Sequence, residues 1–130
     1  YGLKQGAVAV SVAHDSHNII VAGTNNGDMA AAVEALEAQK GGMAIVLDGK
    51  VLAAIPLPIA GLMSDQPAAV VDAAMDELYA KSHNILGVSA DVDVIMTLCF
   101  MSLPVIPKLK LLDTGLFDVE AFDFVPVELD

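Results

Sequence analysis

Apolar and polar positions alternate along this chain in short, sharply bounded blocks. Residues 6–13 are rich in valine and alanine and read as a strand. The polar stretch His14-Asp15-Ser16-His17 interrupts them. Residues 18–23 then resume as a continuous apolar run, the pattern of a strand buried on both faces. Thr24-Asn25-Asn26-Gly27-Asp28 is turn chemistry, and Asn25 with Asp28 resembles a capping box with Asp in place of Glu. Met29, Ala32, Val33 and Leu36 fall at i, i+3, i+4 and i+7, which predicts one face of a helix. Lys40 suits the negative end of its dipole, and Gly41-Gly42 predicts its stop. Residues 43–47 predict a third strand and residues 50–55 a fourth. Asp48-Gly49 between them is a two-residue hairpin signal, because both turn positions need positive φ.

Residues 56–65 are apolar yet unable to form a regular element, since Pro56 and Pro58 remove backbone donors. Ser64 or Asp65 predicts the cap of a second helix, with Pro67 in its first turn and Val71, Met75 and Leu78 on its apolar face. Residues 82–91 are a polar connection. Residues 94–103 read as a strand or a short buried helix, and Pro104 and Pro107 bound an irregular segment. Asp113-Thr114-Gly115 is a turn, followed by short regular pieces. The order is strand, strand, helix, strand, strand, helix and a late strand. That pattern predicts an α+β domain, a two-layer sheet with helices on one face. Both halves run β-β-α, without a residue-level repeat.

Length and composition narrow the class. A chain of 130 residues predicts one domain, spanning residues 1–130. It is long enough to bury roughly two-thirds of its unfolded surface without staples. Hydrophobic residues make up 55%. The longest apolar stretch, residues 94–106, contains Pro104 and falls short of the ~20 residues of a membrane span, so it reads as buried in protein. The formal charge of −11, from 6 basic and 17 acidic groups, excludes the basic face that nucleic acid or anionic membranes require. Scattered acidic groups read as a solvated surface. Cys99 is the single cysteine and sits in an apolar run, so it reads as a small buried hydrophobe, and a reducing cytoplasm fits. Since every methionine follows Tyr1, the chain is expected to be processed or to be a piece of something larger.

The candidate chemistry is concentrated at residues 14–18, where a polar turn joins two strand ends. Scaffolded loops of this kind commonly carry sites. His14 and His17 stand at HxxH spacing, so two imidazoles with Asp15 could hold a metal, although a further ligand would have to come from distant sequence. The competing interpretation is an Asx-type turn in which Asp15, Ser16 and Asn18 satisfy backbone groups. His83 is the only other histidine. Thr97, Cys99 and Ser102 read as core and turn residues. Phosphate-binding glycine loops and serine-nucleophile elements are absent.

Three segments taken together are far more specific than any one of them. Ser11-Val12-Ala13-His14-Asp15-Ser16-His17-Asn18, Pro56-Leu57-Pro58-Ile59-Ala60-Gly61-Leu62-Met63-Ser64-Asp65 and Leu103-Pro104-Val105-Ile106-Pro107-Lys108-Leu109-Lys110 resemble the C-terminal domain of bacterial and archaeal adenine deaminases, of the amidohydrolase superfamily. Asp113-Thr114-Gly115-Leu116-Phe117-Asp118 and Phe122-Asp123-Phe124-Val125-Pro126 are similar to that family's end.

The resemblance implies a cytoplasmic enzyme that hydrolyses adenine to hypoxanthine and ammonia. In that superfamily a (β/α)₈ barrel holds divalent metal (Mn, Fe or Zn), which activates the attacking water. The barrel's His-x-His motif is not in this chain, and ~250 residues of barrel do not fit in it. The metal centre is therefore expected upstream of Tyr1, and this chain alone is expected to be inactive. His14, Asp15 and His17 become candidate contributors to the active-site mouth, with Ser16 and Asn18 beside the substrate. Pro56, Leu57, Pro58, Leu62, Met63, Leu103, Pro104 and Ile106 become the expected interface with the barrel. Its absence would expose them and promote homo-oligomers. Two alternatives stand beside this: a purely structural or oligomerisation domain, and an independent small-ligand or metal-binding module.

Overall fold

Every side chain of the first strand is buried, and successive residues go to two different cores. The computed structural model describes residues 1–128. Strand β1 (Ala7–Val10) is flanked by β2 (Ile20–Gly23) and β3 (Gly42–Leu47), and β4 (Lys50–Pro56) pairs with β3. The sheet order is β2-β1-β3-β4, antiparallel throughout. Val8 and Val10 of β1, with Ile45 and Ile55, point to one face; Ala7 and Ala9, with Ala44 and Val46, point to the other. The alanine face receives helix α1 (Asn26–Ala38) through Ala32 and Leu36. The valine face receives Leu78 of α2 (Ala68–Lys81), Leu86 and, from α3 (Val94–Cys99), Val94, Leu98 and Cys99.

The α+β class and the order of the first six elements are as the pattern predicts. The layering differs. Helices cover both faces of the sheet, giving three layers rather than two. The physical reason is that β1 alternates large and small apolar residues, so both of its faces demand cover. Strand β2, expected to be buried on both faces, is instead a half-buried edge strand.

Local signals place the element ends. Asn25 caps α1: its Oδ1 accepts the Asp28 N–H at 2.8 Å, and its Nδ2 donates to Asp28 Oδ2 at 2.8 Å. Asp28 Oδ1 also accepts the Gly49 N–H at 2.8 Å, which ties the helix start to the β3–β4 turn. These bonds hold the Asp28 carboxyl below its ordinary pKa, the Asn25 bond first and the Gly49 bond next, against an opposing effect of burial. Asp48 and Gly49 both have positive φ, as the hairpin signal requires. Helix α1 stops at Ala38, and Lys40 takes the left-handed position that Gly41-Gly42 was expected to supply. The start of α2 also differs. Its N-cap is Pro67, without a side-chain cap, and Ser64 Oγ instead accepts the Gln66 N–H at 3.1 Å.

Past α2 the chain makes a π-helical turn (Ser82–Leu86), ended by Gly87 in the left-handed region, and then α3. Asp93 caps α3 by accepting the Met96 N–H at 2.8 Å, and it accepts the Tyr79 hydroxyl at 2.6 Å. Burial, then the bond to Asp93, push the Tyr79 hydroxyl pKa well up. A second sheet closes the described chain: β5 (Leu109–Leu112), β6 (Gly115–Asp118) and β7 (Asp123–Val125), in order β5-β6-β7, antiparallel.

Candidate functional site

Residues 14–18 form a turn seated on the end of α3. Strand β1 stops at Val10 because Ser11 leaves the ladder to make a clasp. Its N–H donates to Gly42 O at 2.9 Å; its Oγ accepts the Gly42 N–H at 2.7 Å and donates to Gly61 O at 2.6 Å. The clasp draws the 56–65 loop against the sheet. Leu57 N–H reinforces it by donating to Gly41 O at 3.1 Å. The approach is close enough that a Cβ on Gly41 would lie 2.5 Å from Gly61 Cα, so only glycine fits there.

Beyond the clasp, His14 N–H donates to Cys99 O at 2.7 Å, and His17 N–H donates to Ala13 O at 2.6 Å, closing the turn. The closure is made by backbone atoms and by His17 at φ 54, not by the Asp15 carboxylate that an Asx turn would use. The His14 imidazole stacks on Phe100 with centroids 4.8 Å apart and planes 17° apart. Ser102 Oγ donates to His14 O at 3.5 Å. Asp15, Ser16 and His17 are exposed, while His14 and Asn18 are half-buried. A rigid base therefore presents an exposed carboxylate, hydroxyl and imidazole beside a second, sheltered imidazole.

This arrangement does not fit a metal. The His14 and His17 rings are 6.2 Å apart and tilted by 60°. Among the described residues, no three His, Cys, Asp or Glu side chains group closely enough to hold an ion. In this arrangement the turn brings no third ligand to converge with the two imidazoles. His83 stays in the turn after α2, where its Nδ1–H donates to Val88 O at 3.2 Å. Cys99 is buried in the core, and burial, then the nearby Asp93 charge, push its thiol pKa up, the opposite of an activated nucleophile.

The expected interface residues separate by burial. Leu57 is turned into the chain's own core and is not available to a partner. Pro58, Leu62, Leu103 and Pro104 are half-buried; Pro56, Met63 and Ile106 are exposed. Apart from Asn18, residues that the sequence did not single out as site candidates complete the surroundings. A pocket of about 210 Å³ lies beside the turn, with Asn18 and Ile19 on one side and Ser102, Leu111, Leu112 and Asp113 on the other. Phe100 and this far wall are distant in sequence, so nothing local pointed to them.

Comparison with known proteins places the chain. A family model described as the adenine deaminase C-terminal domain matches residues 1–123. Adenine deaminase 2 of Desulfotalea psychrophila is 59% identical over 128 residues, which cover 98% of this chain and 22% of that protein. Adenine deaminase 2 of Carboxydothermus hydrogenoformans is 55% identical over 128 residues, and the adenine deaminase of Nitratidesulfovibrio vulgaris (strain Hildenborough) 54% over 127, with the same two coverages. The chain thus spans about a fifth of the length of the curated relatives it matches. No helix among the described residues is long and apolar enough to cross a membrane. The chain belongs to the adenine deaminase C-terminal domain family.

Proposed function

We propose that this chain is the C-terminal part of an adenine deaminase, a cytoplasmic enzyme that converts adenine and water to hypoxanthine and ammonia. The reading places a metal-binding barrel upstream of Tyr1. The chain packs on that barrel and contributes residues 14–18 to the mouth of its site. In this reading the divalent metal, Mn, Fe or Zn, is held by the barrel. The observation that carries the reading is the turn itself. Its main chain is fixed to Cys99 and its imidazole is stacked on Phe100, while Asp15, Ser16 and His17 stay open to a neighbour.

In this role His14, held by the stack, is suited to move a proton at the edge of the site, and His17 and Asp15 to orient polar groups of the substrate. The complete polypeptide tests it. His14→Ala is expected to lower kcat/KM by about 10²-fold, the usual scale for a positioned general acid or base, with a smaller loss for His17→Ala. Unchanged kcat/KM in both folded variants would end the catalytic reading. This chain alone is expected to show no deaminase turnover. Measurable turnover would contradict the upstream placement of the metal.

The exposed apolar residues favour a second, structural role. Met63, Val105, Ile106, Leu109 and Leu111 are each more than a third exposed. Apolar surface of that kind marks an interface, here with the barrel or with further copies.

A further inference from the structure

Three contacts from one short segment grip a single residue of the turn. The Cys99 carbonyl accepts the His14 N–H at 2.7 Å, the Phe100 ring stacks on the His14 imidazole, and Ser102 Oγ donates to the His14 carbonyl at 3.5 Å. The segment is itself anchored. Val94, Ile95, Leu98 and Cys99 of α3 are buried, Asp93 caps its start, and the Tyr1 hydroxyl donates to Val94 O at 2.9 Å. His14 therefore stands on a fixed seat. The other two histidines are held differently. His17 is exposed, with its ring tilted by 60° from that of His14, and His83 has its Nδ1 engaged with Val88 O.

We infer that Phe100 is a positioning residue for the deaminase step, orienting the His14 imidazole without engaging either of its nitrogens. The inference rests on the deaminase reading and adds to it the group that makes one histidine of the turn, and not the other, competent. With its main chain fixed, an imidazole still turns about χ1 and χ2, and its broad χ2 leaves the ring plane undefined. A proton enters or leaves an imidazole in that plane, at a nitrogen on the ring edge. A hydrogen-bonded orienter would fix the plane by occupying one nitrogen. A face-to-face stack fixes it and keeps both nitrogens on the free edge. Centroids 4.8 Å apart and planes 17° apart meet that geometry, within the favourable range for paired rings. Phe100 is half-buried and packs against the valine-face core, so the ring that holds His14 is itself held.

The test is a kinetic double-mutant cycle in the complete polypeptide. Phe100→Leu keeps the apolar packing and removes the aromatic face. It should lower kcat about three- to tenfold, the scale of one aromatic pair, with the adenine KM unchanged. Phe100→Tyr, which keeps the face, should restore kcat. In a His14→Ala background Phe100→Leu should cost nothing further, whereas in a His17→Ala background it should cost its full amount. Phe100→Met replaces the leucine variant if that one fails to fold. An equal loss in the His14→Ala background would show that Phe100 acts on the fold at large and overturn the inference. So would a loss confined to KM, or a tyrosine variant as slow as the leucine one. If Phe100→Leu leaves kcat unchanged while His14→Ala is slow, the stack has no role and the deaminase reading survives. If His14→Ala is also silent, both fail.

Discussion

The two sheets of this molecule solve the same problem to different degrees. In the four-stranded sheet, Ala7, Val8, Ala9 and Val10 are 0% exposed, and helices close both faces. In the three-stranded sheet, Leu109, Leu111 and Phe124 are 50%, 57% and 51% exposed, and Phe122 beside it is 79% exposed. Both sheets are apolar; only the first has been covered. A short antiparallel meander needs an apolar face packed on something to be stable. Its support is an aromatic cluster, Phe117 edge-on to both Phe122 and Phe124, a further β5–β6 rung from Val119 N–H to Lys108 O, and one bond to the body, Leu111 N–H to Met101 O. The first sheet is a finished core. The second has the composition of half of one.

The largest expected effect lies in the finished core. Ile45→Ala should cost about 2–5 kcal/mol in denaturant unfolding, because Ile45 is fully buried among Val8, Val10 and Leu78 and the site cannot collapse. A cost below about 1 kcal/mol would mean that the valine face is loosely packed and that the contrast between the sheets is false. Next is Ser11→Ala. It leaves the Gly42 N–H and the Gly61 carbonyl without their hydroxyl partner, a loss of about 1–3 kcal/mol. It should also speed amide exchange in the 56–65 loop, which the clasp holds down. A stability loss without faster exchange there would place the clasp's effect in the sheet alone.

How much of this was legible depends on the range of the signal. The start of α1 and the β3–β4 hairpin were readable because Asn25 with Asp28, and Asp48 with Gly49, act within a few residues. The three-layer arrangement was not, because β1 alternates by size rather than polarity. Valine and alanine both read as apolar, so the period of two was hidden. Ser64-Asp65 looked like a cap, but Pro67 already had the extended backbone, ψ 145, that starts the helix one residue later. Of the site, the polar turn at residues 14–18 was visible at once. Its supports were not: Phe100, Ser102 and Asp113 reach it across more than eighty residues of chain, and periodicity carries no such information.

Asp28 gives a subtler, pH-dependent contrast between the sheets. Its folded pKa lies below the ordinary carboxylate value, because Asn25 and Gly49 donate to the charged form. A depressed folded pKa adds stability above the unfolded pKa, and that stability is lost as pH falls through the acidic range toward the folded value. Asp28→Asn should therefore destabilise the chain near neutral pH, and the difference between variant and parent should shrink as pH falls below about 4. A constant difference across that range would show that the carboxylate's charge is not what links α1 to the hairpin.

The smallest effect on folding, and the sharpest on association, belongs to the uncovered sheet. Phe122 is highly exposed and has φ 55, a conformation that asparagine tolerates better than a bulky residue. Phe122→Asn removes apolar surface without opening a cavity, so unfolding should shift only by the loss of the edge-on pair with Phe117, about 0.5–1.5 kcal/mol. Self-association should respond much more. The isolated chain is expected to associate at high concentration, because its exposed apolar residues cluster between Met101 and Val127 and its scattered negative charge opposes contact only at a distance. Light scattering over a dilution series should show a smaller average mass for Phe122→Asn than for the parent. Added salt, which screens the repulsion, should enlarge the gap. If the parent chain is already monodisperse and monomeric at high concentration, the second sheet is not half of a core, and the difference between the two sheets is one of size alone.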